Sequence, residues 1–372
     1  MFVKIGLILS ASYTILSFII YWDPTRIYFV RLKADSPYTY DRVHPKFSNF
    51  NTAHYISIQN SSQLNSKRKK LINLIWNNSK IPTNIMPSNV ITEYNLTPSL
   101  TKNRSTSNDK KSFFALYDKL DLYTSINNLK QIDRISISNN PHWESHVGVF
   151  IPKVTSGRLI IYHNGFASTY HNQWRLIGDM VNKGHTVAAH NFRWYGTNTG
   201  TYNINSLKTP LRGFFEPVIV SINYLLKGNT FKTVDMIGLS AGAWLTSIIA
   251  AVDTRVSHSY LVSGTYPMSL REGNEFPLPE ADKILLSISS YLDIFVMGGH
   301  GRNRGQVQIF NKFDRCCFRN EKGLLYEKNV SDIIQHIGPG RFDVVIDKTH
   351  ARHKISRYAF DIILTDIHRN GK

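Results

Sequence analysis

The sequence predicts an α/β fold built around a mostly parallel sheet. Short apolar runs alternate with helical patterns from about residue 113 onward, which is the order expected of parallel strands joined by right-handed crossovers. The runs at 158–162 and 186–190 are continuously apolar, as expected of strands that are buried on both faces. A third apolar run ends at Ile237 and leads directly into a glycine-flanked serine and an apolar helix.

Composition and charge exclude several classes of protein. The chain has 372 residues, of which 42% are hydrophobic and 19% charged, so it is neither wholly disordered nor a polytopic membrane protein. The net charge of +18 is spread along the chain, with one tight cluster at Lys67-Arg68-Lys69-Lys70. No nucleic-acid-binding motif accompanies it, so we expect no nucleic acid partner and a basic surface that faces anionic lipid or an acidic polymer.

The N-terminal residues 1–22 contain an uncharged apolar segment. As a helix, Ile5 to Trp22 would span about 27 Å, close to the thickness of a bilayer core. We expect a membrane anchor here; a cleaved signal peptide and a buried core helix are the alternatives. Basic residues flank both ends, so the side of the membrane is not specified.

Residues 23–112 are rich in Asn, Ser, Thr and Lys, and the sequence assigns them no role. A weak helix is predicted over residues 69–76, and the polar stretch 101–111 is typical of a linker or a surface loop. Residues 113–372 are predicted to form the folded α/β domain.

The elements of that domain follow one another in order. Its predicted strands cover residues 134–138, 146–151, 158–162, 186–190, 233–237, 257–262, 306–310 and 342–346. Its predicted helices are a lead-in helix at 113–129, one that ends near Gly184, one at 215–226, one after Ser240, and a terminal helix at 356–367 with Ser356 as its cap.

The pattern G-x-S-x-G stands at Gly238-Leu239-Ser240-Ala241-Gly242. A strand that turns at once into a helix places the serine in a strained conformation, and side chains two residues before or after it would collide. The turn lifts the serine hydroxyl above the sheet edge. The apolar strand before the motif and the helix after it favour a nucleophile elbow over a chance match.

From about residue 130 to the end, the chain resembles the α/β-hydrolase family. The resemblance implies an eight-stranded, mostly parallel sheet and a serine–acid–histidine triad in that chain order, with no metal or organic cofactor. His163-Asn164-Gly165-Phe166 is similar to the family's oxyanion loop, although Asn164 departs from its commonest form. The backbone N–H groups of Phe166 and Ala241 would then bind the developing oxyanion.

The resemblance also implies where the acid and the histidine lie. Asp314 follows the predicted strand at 306–310 and would be the acid, with a helix cap or an ordinary loop aspartate as the alternative. His353 precedes the terminal helix and would be the base; His350 is the alternative. The adjacent Cys316 and Cys317 are expected to be buried small apolar residues rather than metal ligands.

The stretch Gly264 to Gly305 is long enough to form a cap over the site, with Arg302 and Arg304 near its end. The expected activity is cleavage of an ester by acyl transfer to water, on a lipid, an acylated polysaccharide or another envelope-associated ester. An acyltransferase, a peptidase or a thioesterase would use the same triad. A non-catalytic, membrane-tethered binding module with this fold is the alternative from another class.

Overall fold

The computed structural model describes residues 22–47, 50, 52–95, 120–140, 143–166, 168–192, 199–200, 211–273 and 280–369. The apolar segment that predicts a membrane anchor lies outside these residues except for Trp22, as do the polar stretch 101–111 and residues 113–119 of the predicted lead-in helix. None of the helices in the described part combines the length and apolar character needed to cross a bilayer.

One sheet organises the described part of the chain. Its strands are β1 (Asn89–Asn95), β2 (Leu129–Asn140), β3 (Trp143–Pro152), β4 (Arg158–His163), β5 (Thr186–His190), β6 (Thr199–Gly200), β7 (Thr233–Leu239), β8 (Val256–Val262), β9 (Gly305–Asn311) and β10 (Phe342–Asp347). Their order is β1-β2-β3-β5-β4-β7-β8-β9-β10, and the two-residue β6 pairs with β3. From β5 to β10 all neighbours are parallel, whereas β1, β2 and β3 are antiparallel to their neighbours.

Helices cover both faces of this sheet. They are α1 (Asp23–Leu32), α2 (Ser61–Trp76), α3 (Leu120–Thr124), α4 (Trp174–Asn182), α5 (Arg212–Gly228), α6 (Ala241–Val252), α7 (Lys283–Ile288), α8 (Tyr291–Gly299), α9 (Leu324–Ile337) and α10 (Arg357–Arg369). The helices α2, α5, α6, α8 and α9 contribute to one apolar cluster, and α4 and α10 contribute to the other. The mostly parallel sheet with flanking helices is therefore confirmed.

The expected number of eight strands is wrong for the described part of the chain. The antiparallel strand β1, which the sequence analysis left unassigned, pairs with β2 from Asn89↔Ser136 to Asn95↔Gln131 and extends the sheet at that edge. The strands β2 and β3 are also longer than predicted, because they pair with each other along nearly their whole lengths. The predicted parallel strands from β4 onward are confirmed to within two residues at each end.

The predicted lead-in helix is wrong in its second half. The helix α3 ends at Thr124, and Leu129 already belongs to β2. The apolar residues Tyr123, Ile126 and Leu129 are spaced three apart, which mimics a helical period, but two successive turns bring them into the core instead. The residues whose spacing predicts this helix end at Tyr123, so the predicted helix extends beyond its own apolar pattern.

The polar segment at 23–112 contributes to the same core as the rest of the chain. The helix α2 begins after Asn60, whose side chain accepts a hydrogen bond from the Gln63 backbone N–H at 3.0 Å. It is longer than the predicted helix at 69–76, because its first two turns are mostly exposed and polar and therefore carry no apolar period. Its buried side chains Leu64, Leu71 and Ile75 join the apolar cluster that contains α6 and α8.

The stretch Gly264–Gly305 was predicted to form a cap over the site, and this prediction is wrong for the part that forms α8. Every residue of this helix is buried, and it packs against α6, α9 and β9 as the crossover between β8 and β9. The apolar pattern that suggested a helix over an apolar cleft therefore reflects burial inside the core. Arg304 donates to the backbone carbonyls of Met297 and Ala250, near the C-terminal ends of α8 and α6.

Replacing Leu71 with Ala should lower the free energy of unfolding by about 2–5 kcal/mol, because the side chain is fully buried between α2 and the main core. Urea denaturation measures this change. The exposed neighbour Lys70→Ala is the control, for which we expect a change within about 0.5 kcal/mol. Equal effects of the two substitutions would contradict the packing of α2 into the core.

Candidate active site

Ser240 occupies the turn between β7 and α6, and its backbone is strained. Its φ of 57° and ψ of −122° lie in a region that residues other than glycine rarely adopt. The turn also brings backbones very close together: a Cβ on Gly238 would lie 2.2 Å from the carbonyl oxygen of Gly242, and one on Gly242 would lie 2.2 Å from that of His163. The two glycines of the motif are therefore required by contact, as the sequence analysis expects.

The loop after β4 lies directly against Ser240. A Cβ on Gly165 would lie 2.9 Å from the Ser240 Cβ, so the predicted oxyanion loop and the serine are adjacent. Ala241 is the first residue of α6, and its backbone N–H has no acceptor within the helix, as in any first helical turn. The N–H groups of this turn and the positive end of the helix dipole are suited to binding a developing negative charge.

No sequence pattern predicted the contacts that hold the oxyanion loop. The backbone N–H of Asn164 donates to the His190 carbonyl at 3.0 Å, and its side-chain Oδ1 accepts from the Tyr162 hydroxyl at 2.8 Å. Asn164 is fully buried, and its departure from the commonest family form was the only signal that could have singled it out. Its side chain fixes the loop from within the core.

Two stacked histidines lie beneath this loop. The rings of His163 and His190 are parallel to within 13°, with centroids 5.7 Å apart. Burial lowers the pKa of His163 to about 4, against the opposing effect of the Asn164 carbonyl. Burial, followed by the neighbouring His163, lowers the pKa of His190 well below its usual value. Both rings are therefore neutral at pH 7, and His163 Nδ1 donates to the Asn164 carbonyl at 2.9 Å.

Asp314 and His353 are paired at the same edge of the sheet. The His353 Nδ1 lies 2.7 Å from the Asp314 Oδ2, and the Asp314 Oδ1 accepts from the Cys316 backbone N–H at 2.8 Å. Asn311 bridges the two loops, because its side-chain amide donates to the Arg352 and Lys354 carbonyls at 3.2 and 3.0 Å. The acid is fully buried, whereas 23% of the His353 side chain is exposed.

The orientation of the His353 ring follows from this pairing. A carboxylate accepts hydrogen bonds, so Nδ1 carries the proton and Nε2 presents a lone pair. The Nε2 atom is buried and makes no hydrogen bond within the described residues. The hydrogen bond between Ser240 and His353 is thus not formed in this structure, and catalytic hydrogen bonds are often long before substrate binds.

His350, the alternative base, lies in a separate and fully buried network. Its Nδ1 accepts from the Arg352 backbone N–H at 3.1 Å, and its Nε2 lies 3.2 Å from the Asp347 Oδ2. Burial opposes ionisation of Asp347, but the groups of His350, Ser356 and Thr349 outweigh it and lower its pKa to about 2. Ser356 also accepts from the Ala359 backbone N–H at 2.9 Å, so its predicted role as the cap of α10 is confirmed.

The expectation for Cys316 and Cys317 is wrong. The two are joined by a disulfide, and Cys316 is exposed while Cys317 is half-buried. Cys317 packs against the edge of the main apolar cluster, whereas Cys316 lies at the surface. Within the described residues, no three histidine, cysteine or acidic side chains are arranged to hold a metal ion.

Substituting Gly242 with Ala should abolish reactivity at Ser240 and destabilise the fold, because the new methyl group would overlap the His163 carbonyl. The control is Gly228→Ala at the end of α5, where a Cβ would meet nothing within 4 Å. Thermal unfolding and labelling by a fluorophosphonate probe check both variants. A Gly242→Ala protein as stable and reactive as Gly228→Ala would contradict the close approach.

The buried histidines predict that stability falls in mild acid. The folded state keeps His163 neutral down to a pKa of about 4, whereas an unfolded histidine titrates near pH 6.5. The unfolded state therefore binds more protons between these values, and stability falls as the pH drops through that window, by about 1.4 kcal/mol per pH unit for each such histidine.

Urea unfolding between pH 7 and pH 5 measures this slope. We expect the His163→Gln substitution to reduce the pH dependence of the free energy of unfolding by the contribution of one buried histidine. The control substitution, His54→Gln at an exposed position, should leave that dependence unchanged. A parental slope in His163→Gln would show that this ring does not bear the linked proton.

Sequence comparison finds no family model and no curated protein that matches this chain. Structural comparison finds many solved structures that are similar to this one. An acetyl xylan esterase from Paenibacillus sp. R4 superposes with a TM-score of 0.53 and 10% identity, over 86% of this chain and 98% of that one. The acylaminoacyl peptidase of Pyrococcus horikoshii has a TM-score of 0.50 and 13% identity, over 68% of this chain and 44% of that one.

At these identities the likeness concerns the fold and not the chemistry. Together with the strand order and the turn at Ser240, it shows that the chain has the α/β-hydrolase fold.

Proposed function

We propose that the protein is a serine hydrolase that cleaves an ester through an acyl-enzyme intermediate. The observation that carries this proposal is the conformation of Ser240, a positive-φ serine held between a buried strand and the first turn of a helix. A protein maintains a conformation that costs on the order of 1–3 kcal/mol only where the surroundings impose it. Such a turn presents the hydroxyl at the sheet edge, where a nucleophile must be accessible.

In the proposed mechanism His353 Nε2 takes the hydroxyl proton of Ser240 while the oxygen attacks the ester carbonyl. The carbonyl oxygen becomes an oxyanion, which the backbone N–H groups of Phe166 and Ala241 stabilise. As the bond to the alcohol breaks, His353 passes its proton to the leaving oxygen. Water then attacks the acyl-enzyme by the same route, and the proton returns to Ser240.

The contacts around the two histidines support His353 as the base. Its Nδ1 faces Asp314 and its Nε2 lone pair is uncommitted, which is the arrangement of a general base oriented by a carboxylate. His350 is fully buried, and its Nδ1 already accepts a backbone hydrogen bond while its Nε2 faces Asp347. We assign His350 to holding the loop between β10 and α10.

We also propose that residues 1–22 anchor the protein in a membrane and that the ester belongs to a lipid, an acylated polysaccharide or another envelope component. Support comes from the last residue of this segment and from the helix that follows it. Trp22 and Tyr28 are 55% and 63% exposed, and exposed Trp and Tyr beside an apolar span are typical of the boundary between lipid and water.

Ser240→Ala should abolish covalent labelling by a fluorophosphonate probe, because the reacting oxygen is removed. His353→Ala should slow labelling by at least about 10³-fold, since the serine then lacks its base. His350→Ala should instead lower the free energy of unfolding by about 1–3 kcal/mol and label at a near-parental rate once corrected for the folded fraction.

Labelling is followed on gels at matched amounts of folded protein, which is quantified by circular dichroism. A folded parent that is never labelled would overturn the proposal and favour a non-catalytic binding module. A loss of labelling in His350→Ala rather than His353→Ala would exchange the roles of the two histidines.

A further inference from the structure

The helix α1 packs onto the two loops that carry Asp314 and His353. Ile27 and Val30 of α1, and Ala34 just after the helix, contact a small apolar cluster formed by Tyr40, Phe313 and Ala351. Phe313 directly precedes Asp314, and Ala351 lies two residues before His353. The position of α1 is therefore set by the same loops that pair the acid with the histidine.

Two adjoining cavities lie between α1 and these loops. The nearer one, of about 340 Å³, is lined by Arg26, Arg315, Cys316, Ala351, Arg352 and His353. The farther one, of about 500 Å³, is lined by Arg26, Phe29, Val30, Lys33, Tyr40 and Arg315. Because Arg26 and Arg315 line both, the two cavities are neighbours, and we name them together the α1 cleft. His353 lines its near end, and residues of α1 line its far end.

The α1 cleft is strongly basic. Among its ten lining residues four are Arg or Lys and none is Asp or Glu, whereas Arg and Lys supply 44 of the 372 residues of the chain. Asp23 lies 3.8 Å from Arg352, so a carboxylate faces one of these four cations from outside the lining. Asp314 is fully buried.

Basic and apolar side chains line different parts of the cleft. Arginine binds carboxylate and phosphate groups through paired N–H donors, and Arg26 and Arg315 stand where the two cavities meet. Beyond them Phe29, Val30 and Tyr40 supply an apolar wall. A ligand that combines an apolar chain with an anionic oxygen group complements both parts.

We propose that the α1 cleft binds the anionic group of the substrate, so that the ester cleaved at Ser240 carries a carboxylate or a phosphate. This inference rests on the proposed hydrolase function and adds a substrate class to it. Arg26 and Arg315 hold the anion, and the apolar wall accommodates the attached chain. The negative charge belongs either to the acyl part or to the alcohol part of the ester.

Matched pairs of esters distinguish these two sources. For the acyl side, mono-4-nitrophenyl suberate is compared with 4-nitrophenyl octanoate, which has the same chain length and no terminal charge. For the alcohol side, 4-acetoxybenzoate is compared with the neutral 4-acetoxybenzamide. We expect the parent protein to prefer the anionic member of one pair, as judged by kcat/KM. Equal values within both pairs would overturn the proposal.

The double variant Arg26→Gln/Arg315→Gln should reduce that preference at least about tenfold, because two charge-assisted hydrogen bonds are lost. Arg26→Lys/Arg315→Lys keeps the charges and should retain part of the preference. Lys283→Gln/Arg302→Gln removes the same charge at exposed positions away from the cleft and should keep the parental ratio. A parental ratio in Arg26→Gln/Arg315→Gln would refute the assignment.

A binding measurement separates this inference from the proposed function. Calorimetry follows octyl phosphate and, for comparison, 1-octanol, with the parent, the Ser240→Ala protein and Arg26→Gln/Arg315→Gln. We expect octyl phosphate to bind the first two proteins and to bind the double variant at least about tenfold more weakly. Binding without turnover would refute the hydrolase and keep the anion site. Turnover together with equal octyl phosphate binding by all three proteins would refute the site and keep the hydrolase.

Discussion

The close approach of three backbone segments around Ser240 is the constraint on which the rest of the site depends. The end of β7, the start of α6 and the loop after β4 meet where any side chain at Gly238 or Gly242 would overlap a carbonyl group. Gly264, after β8, closes the fourth side, because a Cβ there would lie 2.6 Å from the Ser240 carbonyl oxygen. With no room to relax, the serine retains its positive φ, and the cost of that strain is carried by the surrounding core.

Polar groups beneath the site are arranged so that none of them adds charge to it. Burial keeps His163 and His190 neutral, and the His163 ring and the His190 carbonyl bind the oxyanion loop through uncharged hydrogen bonds. The hydrogen-bonded pair of His353 and buried Asp314 lies in two other loops. The helix α1 packs against both of these loops.

The sequence predicted the elements whose signals are local. A strand that is buried on both faces is mostly apolar, and β4 and β5 were therefore placed to within two residues. The turn at Ser240 was also predicted from the sequence, because both glycines that its tight packing requires lie within the same five residues. The order of Ser240, Asp314 and His353 and the preference for His353 over His350 came from the family resemblance. The hydrogen-bond partners of the two rings support that preference.

What the sequence could not give depends on distant partners. The strand β1 is polar at its edge and is defined by its pairing with β2, and the first half of α2 buries little besides Leu64. For α8 an apolar pattern could not distinguish a helix over a cleft from one inside the core, and only its packing against α6 and α9 decides.

The same long-range packing has a consequence for the synthesis of the chain on the ribosome. Arg68 in α2 donates to the carbonyl of Ala251, 183 residues later. At translation rates of about 5–20 residues per second, the apolar face of α2 emerges from the ribosome on the order of 10–40 s before the helix that covers it. During that interval the apolar face of α2 lacks the later residues of α6 and α8 that cover it in the folded protein.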